Sequence, residues 1–111
     1  MAASDFDLHL VELQKESVGR LVCAEVFDKA AFDALKAYLC EKAELIKQEH
    51  VVSKQVVACL LEAAAVVESR AQWVEGARQN AHLSTEFHNL LGVIAIGEGC
   101  NDRKPGVPRV V

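Results

Sequence analysis

Residues 51–81 read VVSKQVVACLLEAAAVVESRAQWVEGARQNA, and their spacing decides what the chain builds. Val57, Leu60, Ala64, Val67, Ala71 and Val74 fall three and four residues apart, the interval that lines one face of an α-helix. Val56, Cys59, Ala63 and Val66 make a second row beside the first, a stripe too wide for one partner helix. Lys54, Gln55, Glu62, Glu68, Ser69, Gln72 and Glu75 are left for a narrower wet side, and no proline interrupts the run. The pattern predicts one long central helix over 51–81, packed on two sides and capped at its start by Ser53, with its end between Glu75 and Ala81.

Upstream, Ser4 and Asp7 offer helix caps, and Phe6, Leu10, Leu13, Ser17 and Leu21 mark one face, with Val11, Val18 and Val22 beside it. Gly19 costs roughly 1 kcal/mol in a helix interior, so this first helix is expected to bend there or to pack closely on a neighbour. Asp28 can cap a second helix whose apolar face is Phe32, Leu35, Leu39, Ala43 and Ile46, with Tyr38 and Leu45 on its flank. Lys36, Glu41, Lys42, Glu44, Lys47 and Glu49 read as its solvated side. Downstream, Ser84 is the expected cap of a fourth helix carrying Phe87, Leu90, Leu91, Ile94 and Ala95, stopped by Gly97 and Gly99. The stretch NDRKPGVPRVV after Cys100 has no period and reads as an irregular tail.

A chain of 111 residues has room for one core, and 51% hydrophobic against 25% charged residues is a balance that folds. The expectation is an all-α protein: a compact up-down bundle of about four helices over 1–99, followed by a short irregular tail, 100–111. Sixteen acidic residues against twelve basic, with no basic run, argue against nucleic acid as a partner. No apolar run approaches the roughly 20 residues of a membrane span. The start MAASDFD lacks the features of a secretory signal, so a cytoplasmic location is expected. Cys23, Cys40, Cys59 and Cys100 form no C-x-x-C pair, and buried, reduced thiols are the plain reading of them.

Chemistry finds little to stand on. His82 and His88 are six residues apart, no histidine follows a glutamate by three, and no metal or cofactor is expected. Gly97-Glu98-Gly99 is a lone G-x-G at a helix stop, and no nucleophile elbow or phosphate loop occurs, so no catalytic residue is assigned. Small residues at Ala63, Ala64, Ala65 and Gly92 would leave space between helices, where Tyr38, His88 and Trp73 could serve a small ligand or metal; this is the alternative reading.

The favoured reading is a non-enzymatic interaction or assembly module. Trp73 lies one residue off the main apolar row, at the edge where a large ring anchors a partner. Residues 90–96 are apolar on every side apart from Gly92, which predicts a homo-oligomer, most simply a two-fold dimer, through Leu90, Leu91, Val93, Ile94 and Ile96. Cover by Val107, Val110 and Val111 of the tail is the competing explanation. The string LLGVIAIGE, residues 90–98, resembles the last helix of small helical immunity proteins that neutralise bacterial toxins. That short resemblance implies inhibition of another protein and transfers no functional residue.

Overall fold

A computed structural model describes residues 7–49, 51–98 and Cys100. Ser4, Phe6, Gly99 and the tail valines lie outside the described residues. The first helix starts at Asp7, whose Oδ1 accepts from the Leu10 amide at 3.1 Å. It runs as α1, Leu8–Gln14, through a π-helical turn, Lys15–Gly19, into α2, Arg20–Ala24. The wider turn lets the consecutive residues Ser17 and Val18 both face inward, and the Ser17 hydroxyl donates to the Leu13 carbonyl at 2.7 Å. Gly19 closes the wide turn, the distortion found where a bend or close packing is expected, and a Cβ on it would meet only Gln14 and Lys15 of its own helix.

Asp28 caps α3, Lys29–Ile46, accepting from the Ala31 amide at 3.2 Å, and the predicted face is buried. Central α4, Lys54–Arg70, buries Val56, Cys59, Leu60, Ala63, Ala64 and Val67, a set drawn from both predicted rows. Ser53 stands at its N-cap without lending its side chain.

The long helix is shorter than its period suggests. It ends at Arg70, and after a turn at 71–73 the chain resumes as α5, Glu75–Gln79, and then α6, His82–Ala95. Arg78 stabilises the break by donating to the orphan carbonyls of Ala71 and Gln72, at 3.2 and 3.1 Å. The break folds Ala77 back into the core and sets Gly76 against Phe27, which stacks on Phe32 at 4.8 Å between ring centres. Ser84 is not a cap: it lies inside α6 and is buried. Tight turns do the capping instead, with the amides of Leu83 and Ser84 bonded to the carbonyls of Asn80 and Ala81. Gly97, at φ +78°, ends α6 in a Schellman motif, its amide on Ile94 and that of Glu98 on Val93, both 3.0 Å.

Cross-links between the helices give their directions. Asp7 meets Gln55 and Glu25 meets Trp73, so the first rod, α1 through the π turn to α2, and α4 run the same way. Lys36 meets Glu86, and a Cβ on Gly97 would lie 3.4 Å from the Lys47 carbonyl, so α3 and α6 also run parallel. Arg20 meets Asp28 while Asp7 meets Lys42, which sets α1 and α2 antiparallel to α3. The up-down alternation holds along the chain. Consecutive α3 and α4 nevertheless stand across the bundle from each other, while α4 and α6 pack most extensively.

Two of the cysteines overturn the expectation of reduced thiols. Cys40 of α3 is disulfide-bonded to Cys100 beyond α6, with their Cα atoms 5.7 Å apart. Cys23 is free and exposed, and only Cys59 is the free, buried thiol expected.

Two outcomes follow for stability. Alanine at Gly76 would bring its Cβ to 2.9 Å from that of Phe27. Gly76→Ala should therefore lower the unfolding free energy by about 1–3 kcal/mol in urea titration, despite alanine's better helix propensity. The disulfide closes a separation of 60 residues, for which chain entropy gives about 4 kcal/mol. Replacing both Cys40 and Cys100 by Ser should cost a comparable amount in the same titration; an unchanged midpoint would show that the bond constrains nothing.

Candidate functional site

Where the first rod and α4 end together, the chain holds a large ring at the surface. Glu25 terminates α2 in the left-handed region, φ 55° and ψ 32°, a conformation that costs a residue with a Cβ about 1 kcal/mol or more. That conformation coincides with a contact: Glu25 Oε1 accepts from the Trp73 indole nitrogen at 3.0 Å. Arg70 lies over the same ring, its guanidinium carbon 5.3 Å from the centre. Trp73 sits in the turn after α4 and remains 51% exposed while held on its edge and on one face. Val22 and Val26, flanking Glu25, are exposed too.

Charges of both signs stand on the neighbouring elements. Arg20 pairs with Asp28 at 3.2 Å and Arg78 with Glu75 at 3.4 Å. The guanidinium of Arg70 bonds Ser69 through Nη1, and its buried Nε meets no acceptor among the described residues. This corner therefore offers an aromatic anchor, two apolar side chains and an arginine with donor capacity in reserve.

The other predicted interface residues divide. Leu90 and Ile94, at 6% and 4% exposure, belong to the chain's own core, so they are not free to form an interface. Leu91 and Val93 are half-buried, and Ile96 is exposed. The apolar-all-round pattern of 90–96 has a local explanation: Gly92 and Ala95 occupy the exposed side, where small residues present little apolar area. The case for a dimer built on full apolar coverage of this helix thus loses its premise.

The ligand candidates do not come together. His88 is exposed on α6, while Tyr38 is committed to a buried polar cluster with Asp7 and Lys42. Ala63 and Ala64 are fully buried in the packed core, Ala65 is exposed, and a Cβ on Gly92 would meet nothing within 4 Å. Among the described residues no group of three or more His, Cys, Asp or Glu side chains could hold a metal ion. No helix among them is long and apolar enough to cross a membrane.

The cluster around Asp7 was missed in the sequence because Lys42 reads as part of a solvated face. It is 8% exposed, and its Nζ lies 2.8 Å from Asp7 Oδ2, which also accepts from the Tyr38 hydroxyl. The backbone of Asp7 exchanges two bonds with the Gln55 amide, at 2.7 and 2.8 Å. Burial opposes ionisation of Asp7, but Lys42, Tyr38 and the Leu10 amide outweigh it and bring its pKa down to about 2. The bond to Asp7, followed by burial, pushes Tyr38 up to about 12 and keeps it a donor. Burial, with Glu62 adding to it, likewise pushes Cys59 up to about 12, leaving that thiol inert.

A shallow groove of about 310 Å³ runs between α3 and α6, lined by Lys36, Cys40, Glu86, Asn89, Leu90, Val93 and Cys100. Glu86 pairs with Lys36 through Oε1 and stands 3.5 Å from His82 through Oε2.

No protein-family model matches this chain, and no curated protein or solved structure matches it. The likeness of residues 90–98 to immunity proteins therefore stays a short string, two of whose residues, Leu90 and Ile94, the core already claims.

The Asp7 cluster has a testable acid limb. A free carboxyl takes its proton near 3.8, whereas folded Asp7 holds its charge down to about 2. The depressed folded value means the contribution is complete above about pH 4 and is lost as pH falls through 2; the gap corresponds to roughly 2 kcal/mol. Asp7→Asn leaves Lys42 buried without its counter-charge, and should lower the unfolding free energy at neutral pH by about 3 kcal/mol. It should also flatten the fall in stability between pH 4 and 2. Urea titrations at a series of pH values check both, and parallel acid limbs for the two proteins would refute the assignment.

Proposed function

We propose that this chain is a non-enzymatic assembly module that pairs with a second copy of itself through the corner carrying Trp73. The observation that carries the reading is a tryptophan half exposed to water yet held by Glu25 and Arg70. A ring ordered before binding loses little further freedom on association, and Trp and Arg are the residues in which binding energy concentrates. The balance of charge favours a like partner. Arg20, Arg70 and Arg78 stand among Glu25, Asp28 and Glu75, so a two-fold axis can set each sign against its opposite, whereas a strongly acidic or basic partner would meet like charges. The dimer of this reading is formed at the end of α2 and α4 rather than along α6.

The small-ligand alternative has no comparable support, since Tyr38 is engaged with Asp7 and His88 faces solvent. The cytoplasmic location, expected from the N-terminal residues, loses the support reduced cysteines would lend it, because bonds such as Cys40–Cys100 persist chiefly in oxidising compartments.

Sedimentation velocity over a dilution series tests the proposal. The wild-type chain should pass from dimer to monomer on dilution, and Trp73→Ala should sediment as a monomer throughout with its helicity intact. Ile96→Ser, at the far end of α6, should leave the dimer unchanged. A wild-type monomer at every concentration would refute self-association, and dissociation by Ile96→Ser alone would move the interface to α6.

A further inference from the structure

The groove between α3 and α6 has a disulfide in its wall. Both Cys40 and Cys100 line it, so the disulfide faces an open space of about 310 Å³, at the small end of ligand-binding clefts. Lys36 lines the same groove one helical turn before Cys40 on α3. The two sulfurs are therefore not equivalent as leaving groups. A thiolate released at Cys40 appears one turn from the Lys36 ammonium, whose charge stabilises it as a leaving group. The Lys36 charge is itself moderated by Glu86, its ion-pair partner across the groove.

We propose that the Cys40–Cys100 disulfide is a thiol-exchange site, at which a small thiol compound attacks Cys100 Sγ and expels Cys40. In the first step the incoming thiolate forms a bond to Cys100 Sγ, the Cys40–Cys100 bond breaks, and the electron pair leaves on Cys40. One disulfide is consumed and one is made, with no net oxidation. A second thiol of the same kind then attacks the adduct, giving the small-molecule disulfide and a free Cys100; over both steps the two small thiols are oxidised and the protein disulfide is reduced. None of Trp73, Glu25 and Arg70 lines this groove.

Reduced glutathione is the probe. The experiment uses the full chain with Cys23→Ser, which removes the exposed free thiol, while Cys59 is buried. Liberated thiols are trapped with iodoacetamide at short times and located by peptide mass spectrometry. The expected product carries glutathione on Cys100 and the alkyl group on Cys40. Lys36→Gln should slow its formation by about threefold, and Glu86→Gln, which frees the Lys36 charge, should speed it by a similar factor. Both residues are half-exposed partners in one ion pair, so neither change threatens the fold. Loosening of α3 from α6 would speed both variants, and that result would overturn the role given to Lys36. Glutathione found on Cys40, or a disulfide that resists glutathione until denaturant is added, would overturn the site.

Discussion

A carboxylate that keeps its charge while almost closed off from water must be ringed by donors, and those donors have to come from wherever the chain can bring them. Asp7 takes a proton-rich partner and a hydroxyl from α3 and an amide from its own first turn, while Gln55 ties its backbone to α4. Three helices are thereby fixed in register at one end of the bundle. A slide of one turn along any of them, about 5.4 Å, would strand Lys42 or Asp7 as an unpaired buried charge, at about 3–5 kcal/mol. Among the described residues, seven leucines lead a core otherwise made largely of alanine and valine, and such repeated aliphatic side chains discriminate poorly between neighbouring registers. The polar cluster supplies the discrimination they lack.

The opposite end is organised by shape rather than charge. Phe27 lies on Phe32, and Gly76 lets α5 come down onto Phe27 without a side chain between them. That close approach explains why the chain leaves the helix after Arg70, although the apolar period continues through Val74 and Ala77. Beyond α2 a straight continuation would have had no partner to cover it. Folding back buries Ala77 and leaves Trp73 outside, at the bend.

Much of the helical content was legible in the sequence because burial follows the 3.6-residue period: every predicted face residue of α3 from Phe32 to Ile46 is buried. The break at 71–74 was not, since a period can run through a turn when the residues on both sides are apolar. Lys42 was misread for a related reason. It falls between Leu39 and Ile46 on the buried stripe, and its position should have raised the search for a carboxylate, but the partner is the cap of a helix 35 residues away in sequence. The Cys40–Cys100 pair, 60 residues apart, carried no local spacing signal at all. Trp73 was legible as an edge residue from its one-residue offset alone. The contact that orders it, from a left-handed Glu25, could only be seen in three dimensions.

The placement of α3 across the bundle from α4 bears on how the chain reaches this structure. Helices joined by a short loop ordinarily form a hairpin that gains stability as soon as it closes. Here the short loop between α3 and α4 joins two helices that share little surface, and the hairpins lie on either side of it: the first rod with α3, and α4 with α6. Each pair can close on contacts local in the chain before the two pairs meet. Such a topology keeps most of the packing local in the chain and leaves to distant contacts only the docking of the two pairs, α3 on α6 and α4 on the first rod.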